Sequence, residues 1–182
     1  ADQLRRHAAA EVLAGMGRPN PRPPDPNEPW RPRVAKLDLA TTPILAPLAN
    51  TPRRTNPHVT VMQVGERLAP VLLEAQRTNL SAIRVLDADG TIVATTGRDL
   101  GESLAHASEA DTALAGTPTS TLRRRVHAEP PPSLTSISRG AGLRVYVSAP
   151  VAVDARIVGA VLASRTPRTL EEVLYKIGRA HV

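Results

Sequence analysis

Cysteine and phenylalanine are absent from this chain of 182 residues, and its aromatics are reduced to Trp30, Tyr146 and Tyr175. Without cysteine there is no disulfide, no thiolate nucleophile and no Cys-ligated zinc or iron–sulfur centre. Without aromatics a core must be assembled from many small aliphatic contacts, here Val, Leu, Ile and Ala. The same lack removes the stacking platforms on which single-stranded nucleic acid is bound. Nucleic acid is therefore not expected as a partner, although Lys and Arg outnumber Asp and Glu by 23 to 17. No apolar run of 18 residues exists, so no segment reads as a membrane-spanning helix, and no signal peptide is visible.

Proline, in contrast, is abundant and unevenly placed. Eleven of the 18 prolines fall in residues 18–57, as in Pro19-Asn-Pro-Arg-Pro-Pro-Asp-Pro26. Proline removes backbone donors and fixes φ, so neither a helix nor a central strand is expected there. The segment reads as an insertion, whose apolar half (Val34, Leu37, Leu39, Ile44, Leu45, Leu48) is suited to lie along the domain surface. It separates a first helix over 1–17, with Leu4, Ala8, Val12 and Met16 on one stripe, from a long helix beginning near 58. In that helix Val61, Val64, Leu68, Val71, Leu72 and Ala75 make the apolar stripe. Pro70 predicts a kink or break near Leu68.

Beyond residue 80 the period changes. Ala82-Ile-Arg-Val-Leu-Asp87 and Thr91-Ile-Val-Ala-Thr-Thr96 read as strands joined by the Asp-Gly turn Asp87-Ala-Asp-Gly90. Residues 101–115 read as a short acidic helix ended by Gly116. Strands are expected at Thr119–His127, Leu143–Ala149 and Arg156–Ser164. A loop is expected at Pro130-Pro-Pro132, and a final helix opens at Thr169-Leu-Glu-Glu172. The last helix, left running at the end of the sequence, is expected to continue in the native polypeptide. The fold class is α+β: a five-stranded antiparallel sheet with a long N-terminal helix and a C-terminal helix.

This order, and several stretches of sequence within it, resemble the PAS-like extracytoplasmic sensor domains of bacterial histidine kinases, the PDC or single-Cache type. Ile83-Arg-Val-Leu-Asp-Ala-Asp-Gly-Thr-Ile-Val-Ala94 is similar to the first hairpin of that family. Arg144-Val-Tyr-Val-Ser-Ala-Pro-Val151 and Asp154-Ala-Arg-Ile-Val-Gly-Ala-Val161 are similar to its last two strands. Ser164-Arg-Thr-Pro-Arg-Thr-Leu-Glu-Glu-Val-Leu-Tyr175 resembles the segment that enters a second transmembrane helix. The resemblance implies a membrane-proximal helix at 1–17, the insertion at 18–57, a sensor core at 58–167 and a helix at 168–182 leading to the membrane. It implies a periplasmic domain of an inner-membrane kinase, anchored in the full-length protein and dimeric through its N-terminal helices. Such a domain would bind a small-molecule or protein signal and shift the helix pair. The alternative is a dimerisation module without a ligand.

The residues offer little catalytic chemistry. Asp87-x-Asp89-Gly90 lacks the later Glu of a calcium loop. The five histidines have no H-x-x-x-H spacing, so no metal site is expected. No G-x-S-x-G elbow, nucleotide loop or phospho-acceptor His context is present, and neither a cofactor nor an enzymatic activity is expected of this chain.

Candidate ligand-binding groups are polar side chains at strand spacing. Arg144, Tyr146 and Ser148 share one face of a strand, and Arg84 on the first strand can face the same way. Arg123 and Arg125 share a face of another strand, where Arg suits a carboxylate or phosphate. The loop Thr135-Ser-Ile-Ser-Arg139 supplies hydroxyls, Ser138 among them. His106 lies in the short helix that, in the resembled family, borders the pocket. The candidate set is Arg84, His106, Arg125, Ser138, Arg144 and Tyr146, around a small ligand, possibly an anion.

Overall fold

The computed structural model describes residues 15–21, 37, 41–49, 59–79, 81–125, 142–153 and 155–166. Gly15 and Met16 are helical. The rest of the first expected helix, the C-terminal helix, the Pro130–Pro132 loop and Ser138 lie outside the described residues.

The architecture is α+β. A long helix α1 (Val59–Asn79) is followed by strands β3 (Ala82–Asp87) and β4 (Ile92–Thr95) and a short helix α2 (Ser108–Leu114). Strands β5 (Thr119–Arg124), β6 (Leu143–Val153) and β7 (Arg156–Arg165) complete the sheet. These five strands pair antiparallel in the order β5-β6-β7-β3-β4.

The expected sheet of five antiparallel strands requires correction. The sheet has seven strands and is mixed. The added two come from the proline-rich segment: β1 (Arg18–Pro19) and β2 (Ile44–Leu45), two residues each. The β1 strand lies antiparallel to the start of β7, pairing with Ile157 and Arg156 beyond the point where β3 ends. β2 runs parallel to β5, with Ile44 opposite Leu122 and Leu45 opposite Arg123. Proline density forbids a long or central strand, but it leaves dipeptides free to pair at the rim.

Three further expectations change. The helix predicted over 101–115 is confined to Ser108–Leu114. The preceding loop instead satisfies its backbone against the β3–β4 hairpin, through Ile92 N to Glu102 O, Gly101 N to Ile92 O and Leu104 N to Gly90 O. His106 is consequently in a loop. Helix α1 passes through Pro70 without the break that the proline allowed, with the proline exposed. The third change is at the strand ends: β5 stops at Arg124 and β6 runs on through Pro150 to Val153.

The hairpin itself forms where the Asp-Gly signature puts it. Gly90 adopts φ 84°, a conformation that favours glycine. The Asp87 carboxylate accepts from the backbone of Asp89 at 3.0 Å and of Thr91 at 2.8 Å, an Asx-type turn.

The core lies between α2 and the sheet. Leu86, Ile92, Tyr146, Ala160 and Leu162 from the sheet meet Leu104, Ala107, Ala110, Ala113 and Leu114, with Leu48 packed against them. Ala110 and Ala113 of α2, with Ala107 just before it, allow the helix to approach closely, the solution expected of a chain without phenylalanine. Helix α1 packs on β4 and β3. Its buried line runs through Val61, Gly65 and Leu72, while Val71 is exposed. Gly65 sets this line: a Cβ there would lie 1.8 Å from the Val93 carbonyl oxygen.

Candidate functional site

Residues directly opposite each other in a sheet share a face. The register therefore fixes which side chains look toward α2. One row is Thr121, Tyr146, Ser164 and Ala82 across β5, β6, β7 and β3. The next row toward α2 is Thr119, Ser148, Leu162, Arg84 and Thr95. On the other side of the Tyr146 row, Arg123 stands opposite Arg144. A buried sheet face would ordinarily be aliphatic. This one carries three arginines, a tyrosine and several hydroxyls.

Two ion pairs organise it. Glu109, in the first turn of α2, is 0% exposed. Its carboxylate accepts from Arg123 Nε at 2.8 Å and Nη2 at 2.7 Å, a bidentate pair. The remaining Arg123 nitrogen, Nη1, donates to the Ala46 carbonyl at 3.0 Å. Ser108 Oγ donates to the Glu109 carboxylate at 3.2 Å, and Ser148 Oγ to the Glu109 backbone carbonyl at 2.7 Å. The hydrogen bonds to Glu109 raise Arg123 above the usual arginine range against the opposing effect of burial. One guanidinium thus ties together α2, β5 and the segment after β2.

The second pair joins Arg84 Nε to Asp99 Oδ2. Thr95 Oγ1 donates to the other Asp99 oxygen at 2.8 Å. Burial pushes the Asp99 carboxyl up, but the Arg84 hydrogen bond, the Arg84 charge and the Thr95 hydroxyl outweigh it and hold it below the usual carboxylate range.

Among the described residues, four buried polar atoms on this face have no hydrogen-bond partner: Arg84 Nη1, Thr121 Oγ1, Arg144 Nε and Ser164 Oγ. They come from β3, β5, β6 and β7. Ser164 is 2% exposed. An unsatisfied buried polar group costs about 1–3 kcal/mol, so such groups are rare without a reason. Each of the four is a donor that an acceptor-rich molecule reaching this face could satisfy.

Of the six residues singled out from the sequence, Arg84, Arg144 and Tyr146 do share this face. Tyr146 is 6% exposed and its ring is part of the core. Arg125 lies just past β5, half-buried, its backbone N–H bonded to the Gly142 carbonyl at 2.8 Å. His106 is exposed in the loop before α2. Sequence reasoning did not single out Glu109, Asp99, Thr121 or Ser164. The registers of β5 and β7 against Tyr146 would have found Thr121 and Ser164. Among the described residues no cluster of three or more acidic or histidine side chains could hold a metal ion, and no helix is long and apolar enough to cross a membrane.

No family model matches the sequence, and no curated protein matches it. Among solved structures, 8 chains match. One is the crystal structure of the V. cholerae histidine kinase DctB sensor domain, with a TM-score of 0.41 and 15% identity, covering 58% of this chain. The match spans 37% of that chain. A histidine kinase sensor domain is thus a distant structural neighbour.

Proposed function

We propose that this chain is the extracytoplasmic sensor domain of a membrane-bound histidine kinase, and that it binds a small ligand on the face of the sheet beneath α2. The observation that carries the ligand site is the set of four unpartnered buried polar atoms from four strands, Arg84, Thr121, Arg144 and Ser164, on one face. A ligand reaching any of these donors would satisfy it, and its binding free energy would bias the arrangement of the elements that hold it. The sensor assignment is supported by the resemblance in the two hairpins. The order β5-β6-β7-β3-β4 of the antiparallel strands, with a short helix over the middle strands, fits the same reading. In the full-length protein the domain would be anchored in the membrane, paired with a second copy, and would act through its terminal helices.

Thermal shift against a library of small metabolites tests the ligand site. A specific stabiliser should lose its effect in Arg144→Ala and in Thr121→Val. Silence across the library, or a stabiliser indifferent to both substitutions, would remove the site. The kinase assignment is tested by the encoding gene, which should carry apolar spans on both sides of this segment and a kinase core downstream.

A further inference from the structure

Charge is sorted by the two ends of the sheet. Antiparallel pairing brings the start of β3, the end of β5, the start of β6 and the end of β7 to one end. That end carries Arg98, Arg124, Arg125, Arg144 and Arg165. Arg124 stands opposite Leu143 and Arg165 opposite Val145, so both lie on the face away from α2. Arg144 lies on the face toward α2, and Arg125 follows β5 with its backbone N–H on the Gly142 carbonyl at 2.8 Å. Arg98 is in the loop after β4, next to Asp99, which reaches Arg84 near the start of β3. Neighbouring strands lie about 4.8 Å apart and residues rise about 3.3 Å along each. The backbone positions of the arginines on β5, β6 and β7 therefore fall within a patch about 15 Å across.

No ion pair among the described residues neutralises this patch. Glu109 and Asp99 are taken by Arg123 and Arg84, and Glu74, near the end of α1, by Arg77. Arg98, Arg124 and Arg165 are exposed, and Arg125 and Arg144 half-buried. The acidic groups lie at the opposite end. Asp87 and Asp89 form the β3–β4 turn there, Glu102 bonds through its backbone to Ile92, and Asp111 pairs with Arg18 beside the start of β7. Like charges gathered at one end repel one another, and an extended anionic surface relieves that repulsion.

The arginines spread over both faces of the sheet and an adjoining loop, an arrangement that suits a broad surface and not a small molecule. They are not interleaved with aromatic rings on which nucleic-acid bases could stack. Strand β7 ends within the patch, at Arg165. Ser164–Tyr175, which opens there, is the stretch that resembles the approach to a transmembrane helix. Resting on the membrane-anchored reading above, we infer that this end of the sheet docks on the surface of a bilayer rich in anionic phospholipid, its arginines meeting the phosphate groups. Affinity comes from charge density without insertion, and the contact fixes how the sheet stands on the membrane.

Cosedimentation of the chain with vesicles tests this. Vesicles of equal parts phosphatidylcholine and phosphatidylglycerol should bind it at low salt about tenfold or more tightly than phosphatidylcholine alone, and high salt should release it. The triple variant Arg98→Gln, Arg124→Gln, Arg165→Gln changes exposed side chains only. It should lose about tenfold or more, since each arginine near an anionic surface contributes about fivefold in partitioning. The double variant Arg18→Gln, Arg156→Gln alters the opposite end and should change binding by less than about twofold. Equal binding to the two kinds of vesicle would overturn the inference. So would a triple variant that binds as the double variant does. If the triple variant does not fold, Arg165→Gln alone decides, with an expected loss of about fivefold. Duplex DNA that competes with the vesicles at equal affinity and with the same arginine dependence would make the patch a general polyanion site and overturn the lipid assignment. Failure on vesicles leaves the sensor assignment standing, because the encoding gene and the metabolite library test that separately.

Discussion

The carboxylate of Glu109 is wholly buried and is gripped by Arg123 through two hydrogen bonds of 2.8 and 2.7 Å. Breaking one side of such a pair leaves a buried charge unpaired, at a cost of about 3–5 kcal/mol. Replacing both partners by apolar residues of similar volume is far milder. Glu109→Leu and Arg123→Met should each destabilise strongly, whereas the double variant should recover most of the loss. Urea unfolding of the four proteins measures it, and the coupling energy of the cycle should be large. Simple additivity of the two losses would show that the pair is not coupled.

Why this pair escaped the sequence is physical. Glu109 is on a helix and Arg123 on a strand, and nothing local in either element says that the two meet. Local chemistry was legible: the Asp87–Gly90 turn and the alternation of Arg144, Tyr146 and Ser148 each depend on a few adjacent residues. Long-range register was not. Thr121 and Ser164 join the site only because β5 and β7 flank β6 in one particular register. The inward line of α1 was misread at Val71 for a similar reason. Hydrophobicity favours Val71, but the close approach of Gly65 to Val93 rotates it outward. Composition forecast the proline-rich segment's lack of long structure, though not the backbone pairs it makes at the rim.

Acid should weaken the fold through Asp99. Its folded-state carboxyl titrates below the usual range, because the Arg84 and Thr95 contacts outweigh burial. A group so depressed contributes stability above its unfolded value of about 3.9. That stability is lost as pH falls through the lower folded value. Asp99→Asn should therefore cost about 1–3 kcal/mol at pH 6, in line with a charge-assisted hydrogen bond. The gap between wild type and variant should narrow from about pH 4 downward, the unfolded carboxyl's own range. Chemical denaturation from pH 7 to pH 3 measures this, and a gap constant with pH would refute it.

Glycine at position 65 is demanded by proximity. Gly65→Ala would place a methyl 1.8 Å from the Val93 carbonyl oxygen, so α1 must move away from β4. Overpacking of this kind costs about 1–3 kcal/mol or more, partly offset by alanine's helix propensity of about 1 kcal/mol over glycine. Gly15 is the control, since a methyl there meets nothing within 4 Å. Gly15→Ala should leave the melting temperature unchanged or raise it, while Gly65→Ala should lower it by several degrees. Equal effects at the two positions would contradict the close packing of α1 on β4.

The β3–β4 turn should be sensitive at two positions for different reasons. Gly90→Ala forces a side chain into a left-handed conformation and brings its Cβ within 2.8 Å of Ala105 Cα. Strain of that type is worth about 1–3 kcal/mol. Asp87→Ala instead removes the acceptor for the Asp89 and Thr91 backbone donors, an effect of about 1–3 kcal/mol where a donor stays buried. Asp87→Asn retains a side-chain oxygen and should recover a good part of the Asp87→Ala loss. No residue at position 90 other than glycine should be as well tolerated, asparagine being the mildest replacement. The four variants compared by thermal unfolding separate the two causes. If Asp87→Asn is as damaging as Asp87→Ala, the turn depends on the carboxylate charge and not on its role as an acceptor.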